Sequence, residues 1–169
     1  MKKRRRGSST EGIALLEAAL VMPLLVALML NVANFGMYIY AWVTVNNAAR
    51  AVLEYRVYTG VVLGYPPSPS TAQMQTLVTA EVSSLPNNGS VTWEVCGPKK
   101  NGVLNCQGSG GTAFDPGSDP ADAAHYALYS AQVGYTFKTL FPGVTLPLGY
   151  SVPGLPGSVS RQVSMRSMQ

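Results

Sequence analysis

The chain has 169 residues and a mass of 17.9 kDa, with 47% hydrophobic residues, 12% charged residues and a mean hydropathy of +0.14. That length fits one domain of ordinary size, charge so sparse falls below the roughly one quarter usual in soluble domains, and disorder is excluded because disordered chains are charge-rich and poor in apolar residues. The formal charge of +4 comes from a leader, Lys2-Lys3-Arg4-Arg5-Arg6, and from Ile13 onward seven basic and seven acidic residues balance, so the folded patch or stripe of cations that a nucleic-acid binder needs is missing and no nucleic-acid partner is expected.

The leader meets a long apolar run. Ile13 to Leu30 holds one ionisable residue, Glu17. Eighteen helical residues span about 27 Å, close to the ~30 Å of a bilayer's hydrocarbon core. After Asn31 and Asn34 the run resumes through Phe35-Gly36-Met37-Tyr38-Ile39-Tyr40-Ala41-Trp42-Val43, where Tyr38, Tyr40 and Trp42 have the character of an interfacial aromatic belt. The reading is a transmembrane helix over 13–43, with residues 1–12 as a cytoplasmic leader and 44–169 as an extracytoplasmic α+β domain. The five cations hold the N-terminus in the cytoplasm. An ordinary secretory signal peptide has a shorter apolar core, followed by a small-x-small cleavage site, and neither is present.

Glu17 is informative because a carboxylate inside a membrane helix costs about 2.5–3.5 kcal/mol on insertion scales. Gly12 closes the polar leader, four apolar residues follow, and Glu17 is the fifth residue after the glycine. This is the spacing of a type IV prepilin processing site, with cleavage between Gly12 and Ile13. Gly12 has no side chain to obstruct a protease approaching the backbone. Cleavage creates an α-amino group on Ile13 that can pair with Glu17, within one helix or between subunits, and pairing offsets the burial of each charge alone. The plainer reading places Glu17 near the headgroups, solvated about one turn inside the helix. Pro23 removes a helical hydrogen bond and predicts a kink.

The segment Gly12-Ile13-Ala14-Leu15-Leu16-Glu17-Ala18-Ala19-Leu20-Val21-Met22-Pro23-Leu24-Leu25, followed by Phe35-Gly36 and Asn47-Ala48-Ala49-Arg50, resembles the N-terminus of TadE-like proteins, the minor pseudopilins of the Tad (Flp) pilus. Ala18 stands where that family usually has an aromatic residue, and Asn34 where an acid often precedes the Phe-Gly pair. The resemblance covers about the first third of the chain. It implies a prepilin peptidase of the Tad type as one partner, other pilin or pseudopilin subunits as others, and a place in the bacterial inner membrane before incorporation into a pilus. Ala14, Ala18, Ala19, Ala27, Ala33 and Gly36 are small enough for close helix approach.

Beyond Val43, the residues Val45, Ala48, Ala49, Val52 and Leu53 recur at helical spacing, with Arg50 and Glu54 elsewhere. One helix from Ile13 to about Val57 follows, stopped by Gly60, Gly64, Pro66, Pro67 and Pro69. Ser70-Thr71-Ala72-Gln73 reads as a capping box opening a second helix over 71–85, with Met74, Leu77, Val78, Val82 and Leu85 inward. A turn at Asn87-Asn88-Gly89-Ser90 precedes period-2 alternation through Val91, Trp93 and Val95. A longer strand lies within Ala127 to Phe137, and a last one over Val159 to Arg166. The alternation predicts a small antiparallel sheet with one covered face, pilin-like in outline.

Cys96 and Cys106 are the only cysteines. On the outer side of the membrane a disulfide between them is expected, closing a hairpin whose tip carries Lys99-Lys100-Asn101-Gly102. Two free thiols are the alternative; zinc needs more ligands, and His125 is distant in sequence. Asp115, Asp119 and Asp122 offer carboxylates to calcium but lack EF-hand spacing, so the stretch Gly108 to Asp122 reads as a solvated loop. Phe141 to Gly157 reads as a proline-glycine-rich surface loop. One histidine beside Tyr129 and Ser130, two cysteines expected to be oxidised and seven scattered acids do not compose a catalytic site, so no enzyme activity and no cofactor are expected. Apart from a pseudopilin, the reading that remains is an uncleaved single-span envelope protein acting as an anchored binding module.

Overall fold

The computed structural model describes residues 10–61, 69–100, 103–110, 126–141 and 157–168. The basic leader up to residue 9, the stop signals Gly64, Pro66 and Pro67, the hairpin tip Asn101-Gly102, the aspartates Asp115, Asp119 and Asp122, His125, and positions 142–156 of the proline-glycine stretch lie outside the described residues. Within the described residues the order is α1 (Thr10–Val61), α2 (Thr71–Val82), β1 (Thr92–Lys100), β2 (Val103–Gly108), β3 (Tyr126–Thr136) and β4 (Ser158–Met168), an α+β fold. The chain divides into two compact units: Met1–Met37 with Thr139–Leu155, and Tyr38–Lys138 with Pro156–Gln169.

The second unit is built on an antiparallel sheet in the order β2-β1-β3-β4. Its register puts Trp93 opposite Val133 and Val95 opposite Ala131. Because side chains alternate across a strand, those four share a face with Ala127, Tyr135 and Val159, and all seven are buried. Tyr129 lies on the same face with its ring against Gly97, where an added Cβ would stand 3.0 Å from the ring. The opposite face carries Thr92, Glu94, Gln132, Ser160, Gln162 and Ser164, all exposed or half-buried. Ser130 departs from this pattern: it is polar, on that second face, and 0% exposed. It sits directly opposite Cys96, which is equally buried, whereas Cys106 across from Cys96 on β2 is half-buried.

The C-terminal half of α1 supplies a stripe of buried residues at Ala41, Val45, Ala48, Ala49, Val52, Leu53 and Arg56, spaced as one helix face requires. Arg50 and Glu54 are exposed. The expected capping box of α2 is present: Ser70 Oγ accepts from Gln73 N–H at 3.3 Å, and Ser70 N–H donates to Gln73 Oε1 at 3.0 Å. The helix ends at Val82 rather than Leu85. Ser83 N–H bonds back to the Ala80 carbonyl, its hydroxyl bonds to the same oxygen, and Leu85 N–H bonds to the Val82 carbonyl. These three-residue bonds tighten the chain into turns before Pro86, yet Leu85 remains buried. Met74, Val78 and Val82 form the buried face of α2. Trp93 Nε1 donates to Gln75 Oε1 and so ties α2 to β1. The turn at Asn87-Asn88-Gly89-Ser90 is realised with Asn87 in the left-handed region (φ 63°), where asparagine is tolerated.

In the first unit α1 begins at Thr10, one turn earlier than Ile13, and continues unbroken through Pro23. Asn31 Nδ2 donates to its own helix at the Ala27 carbonyl, 2.7 Å away. Asn34 does something different: its Nδ2 donates to the Phe141 carbonyl at 2.8 Å, and its Oδ1 accepts from the Phe141 N–H at 3.1 Å.

Tyr135 donates its hydroxyl to the Pro86 carbonyl, and burial raises its pKa above the ordinary 10.0. The phenol therefore stays protonated in the folded chain where an unfolded tyrosine ionises. This stabilisation is complete below pH ~10, the ordinary tyrosine value, and fades as pH climbs through the folded value. Denaturation midpoints measured across the alkaline range should fall above pH ~10. Tyr135→Phe should remove that part of the fall, at the expense of about 1 kcal/mol near neutrality.

Candidate functional site

The surface that sequence reasoning singles out is the first half of α1. From Gly12 to Val26 every residue is exposed, including Ile13 at 65%, Leu20 at 73% and Leu24 at 61%. Among the described residues, Gly12–Thr59 is the one helical segment long and apolar enough to cross a membrane, and its most apolar stretch is almost wholly unburied. A core helix of a soluble protein would hide that stretch. Here it is left for another apolar medium, because an exposed apolar patch of this size marks a membrane or protein contact.

Gly12, Ile13 and Glu17 all lie on this exposed stretch, within the first two turns of α1. A Cβ added at Gly12 would meet nothing within 4 Å. Alanine would favour the helix by roughly 1 kcal/mol, so intrachain packing gives no reason for the glycine. The Gly12–Ile13 peptide lies in the first helical turn, where backbone N–H groups lack intrahelical partners and local opening is cheap. Among the described residues Glu17 makes no hydrogen bond or ion pair.

The three aromatics expected as an interfacial belt belong to the second unit and serve its packing. The Tyr38 ring stands edge-on to Phe137 with centroids 5.4 Å apart, and Tyr40 donates its hydroxyl to Ser84 Oγ at 2.9 Å. The Arg161 guanidinium lies 3.7 Å above the Trp42 ring centroid. A cation over an indole face contributes about 0.5–2 kcal/mol, according to how far it is desolvated. Arg161 is therefore a packing residue that alternation alone did not single out. Position 161 does fall on the same face of β4 as Val159 and Val163.

Residues 12–53 match the model of the TadE-like protein family. The chain carries a TadE-like segment. That segment opens on Gly12, runs through the exposed apolar half of α1 and ends on Leu53 of the buried stripe. α2 and the sheet lie outside the match. No curated protein and no solved structure shows significant similarity to the chain.

Beyond the TadE-like segment, Cys96 and Cys106 form the expected disulfide, joining residues directly opposite on β1 and β2. Glu94 brings a carboxylate oxygen within 4.8 Å of both sulfurs. The sulfurs are spent on each other, and metal ligation by cysteine requires thiolates. The same sheet face holds an open hollow of about 500 Å3, lined by Thr92, Glu94, Gln132, Gly134, Ser158 and Ser160 among others. Glu94 Oε2 is buried there without a hydrogen-bond partner. Ser130 Oγ likewise has none, so no described base contacts the hydroxyl that could have acted as a nucleophile.

The disulfide spans a sequence separation of 10, and closing a loop that short stabilises the fold by about 2–3 kcal/mol in the chain-entropy model. The double variant Cys96→Ser with Cys106→Ser should lose that amount in urea denaturation followed by the fluorescence of Trp42 and Trp93, with secondary structure retained.

Proposed function

We propose that the chain is a minor pseudopilin: a single-span inner-membrane protein that is processed by a prepilin peptidase and then takes part in assembly of a Tad (Flp)-type pilus, which serves adhesion or secretion. The observation that carries this reading is the coincidence, within one TadE-like segment, of an unburied apolar helix with Gly12 and Glu17 at processing spacing. The arrangement has a consistent chemistry. The leader holds five cations on the cytoplasmic side, the helix spans the bilayer, and the folded unit stands in the periplasm, where an oxidising compartment supports the Cys96–Cys106 bond. Removal of residues 1–12 leaves an ammonium at Ile13, four residues from Glu17. Residues four apart lie on one helix face, so the two charges can neutralise each other within a subunit or across to a neighbour. The exposed apolar surface then moves from lipid to the helices of other subunits, both being apolar surroundings, and close packing rather than water exclusion drives that step.

Mass spectrometry of the protein purified from its native host tests the reading. A mature N-terminus at Ile13 supports it, and an intact leader leaves an anchored envelope protein instead. Gly12→Leu should abolish the mobility shift that accompanies leader removal. Glu17→Ala should insert into the membrane as the parent does, yet reduce pilus yield severely; wild-type fibre numbers from this variant would refute the role given to the carboxylate.

A further inference from the structure

Leu140 and Phe141 are 50% and 40% exposed, yet the backbone that carries them is pinned to α1. The Asn34 side-chain amide uses its donor and its acceptor on the Phe141 carbonyl and N–H, at 2.8 and 3.1 Å. The paired groups are those that a non-helical segment cannot leave open at membrane depth, where water is absent. The level of Asn34 follows from α1 itself. About 20 helical residues fill the hydrocarbon core. Counting from Ile13, they end at Val32; counting from Ala18, just past Glu17, they end at Met37. Asn34 lies between these limits, at the outer boundary of the span. On the same unit Met29, Val32 and Phe35 also present apolar surface. Leu140 and Phe141 thus extend, without a charge between Lys138 and Arg161, an apolar surface that already faces lipid.

We propose that Leu140 and Phe141 form a second membrane contact, inserted at the outer interface of the bilayer and held there by Asn34; this rests on α1 crossing the membrane. Lipid fits the patch better than a second copy of the chain does. Two side chains offer far less area than the ~1,200 Å2 that a stable protein interface buries, whereas a bilayer needs no matching partner surface and solvates whatever apolar area is offered. With both polar groups of Phe141 satisfied by Asn34, inserting this residue leaves no backbone hydrogen bond open.

The test uses the full chain in phosphatidylcholine–phosphatidylglycerol vesicles, carrying Leu140→Cys modified with a nitrobenzoxadiazole thiol label. The native cysteines are disulfide-bonded, so the new thiol alone reacts. Labels at Leu20→Cys and Ser160→Cys mark the apolar span and an exposed strand position. The label at 140 should emit to the blue of the label at 160, be quenched several-fold less by aqueous iodide, and be quenched by a nitroxide placed near the lipid headgroup. Asn34→Leu combined with Leu140→Cys should restore iodide access several-fold and leave the Leu20 label unchanged. A label at 140 as accessible as that at 160, with Leu20 protected, overturns this proposal and spares the membrane reading. Accessibility at Leu20 as well overturns both. Protection that appears only as the protein-to-lipid ratio rises assigns the patch to a second copy and also overturns the proposal, and protection unaffected by Asn34→Leu removes Asn34 as the clamp.

Discussion

The organising constraint is that one continuous helix of 52 residues must satisfy two solvents. Its C-terminal half buries Val45, Ala48, Ala49, Val52 and Leu53 completely and polarises the usual way, with Arg50 and Glu54 turned out. Its N-terminal half does not polarise at all. Leucines, isoleucine and methionine cover every face between Ile13 and Met29, so no orientation against a single protein surface could hide them. A helix that is apolar all round belongs inside a large core or inside a bilayer, and among the described residues this stretch is left almost wholly unburied.

The same constraint explains how polar groups are treated along α1. Asn31 returns its amide to the Ala27 carbonyl, Thr44 returns its hydroxyl to the Tyr40 carbonyl at 2.9 Å, and Asn34 spends both ends of its amide on Phe141. Side-chain donors that bond their own helix add little outward polarity, which is how hydroxyls and amides become acceptable in apolar surroundings. Where the helix enters the second unit the strategy changes. Tyr38, Tyr40 and Trp42 use a ring, a hydroxyl and an indole face on Phe137 just past β3, Ser84 just past α2 and Arg161 of β4, so amphipathic side chains meet partners that are themselves partly polar.

Much of this was legible in the chain because it is written in local periods. The period-2 runs placed β1, β3 and β4 and the apolar face of β3. The Ser70–Gln73 pair placed the start of α2, and the sulfur pair was legible from two lone cysteines in a domain expected beyond the membrane helix. Elements whose ends depend on competition between bonds were less accurate: α2 closes at Val82 because Ser83 and Leu85 prefer three-residue bonds, and nothing in the apolar spacing of Val82 and Leu85 distinguishes that from another turn of helix. What could not be read is long-range partnership. Asn34 and Phe141 are 107 residues apart, and the insertion of β1 between β2 and β3 is a property of tertiary packing. Arg161 stands on the apolar face of β4 opposite Val133, and its acceptability there depends on Trp42, which no local rule connects to it.

Glu17 stands apart from this economy. Asn31, Asn34 and Thr44 each find an acceptor within the chain, whereas the Glu17 carboxylate, on the same exposed surface, has no described partner. A carboxylate needs donors, and the backbone N–H groups of a helix beyond its first turn are already committed. No asparagine, serine or lysine lies within a turn of it: positions 13, 14, 20 and 21 are Ile, Ala, Leu and Val. Insertion of a lone carboxylate is unfavourable by a few kcal/mol, enough to place such a residue elsewhere unless something outside the folded chain compensates. On the processing proposed above, a cation created at Ile13 would supply that compensation at the correct spacing, and only once the leader is gone. On that proposal the carboxylate of the precursor would lie at the membrane boundary, where headgroup water reaches it. In this reading the precursor spans the bilayer with Glu17 near its cytoplasmic boundary, the mature chain carries a neutralised pair there that can pack against neighbouring helices, and the chemical difference between the two states is a single peptide bond.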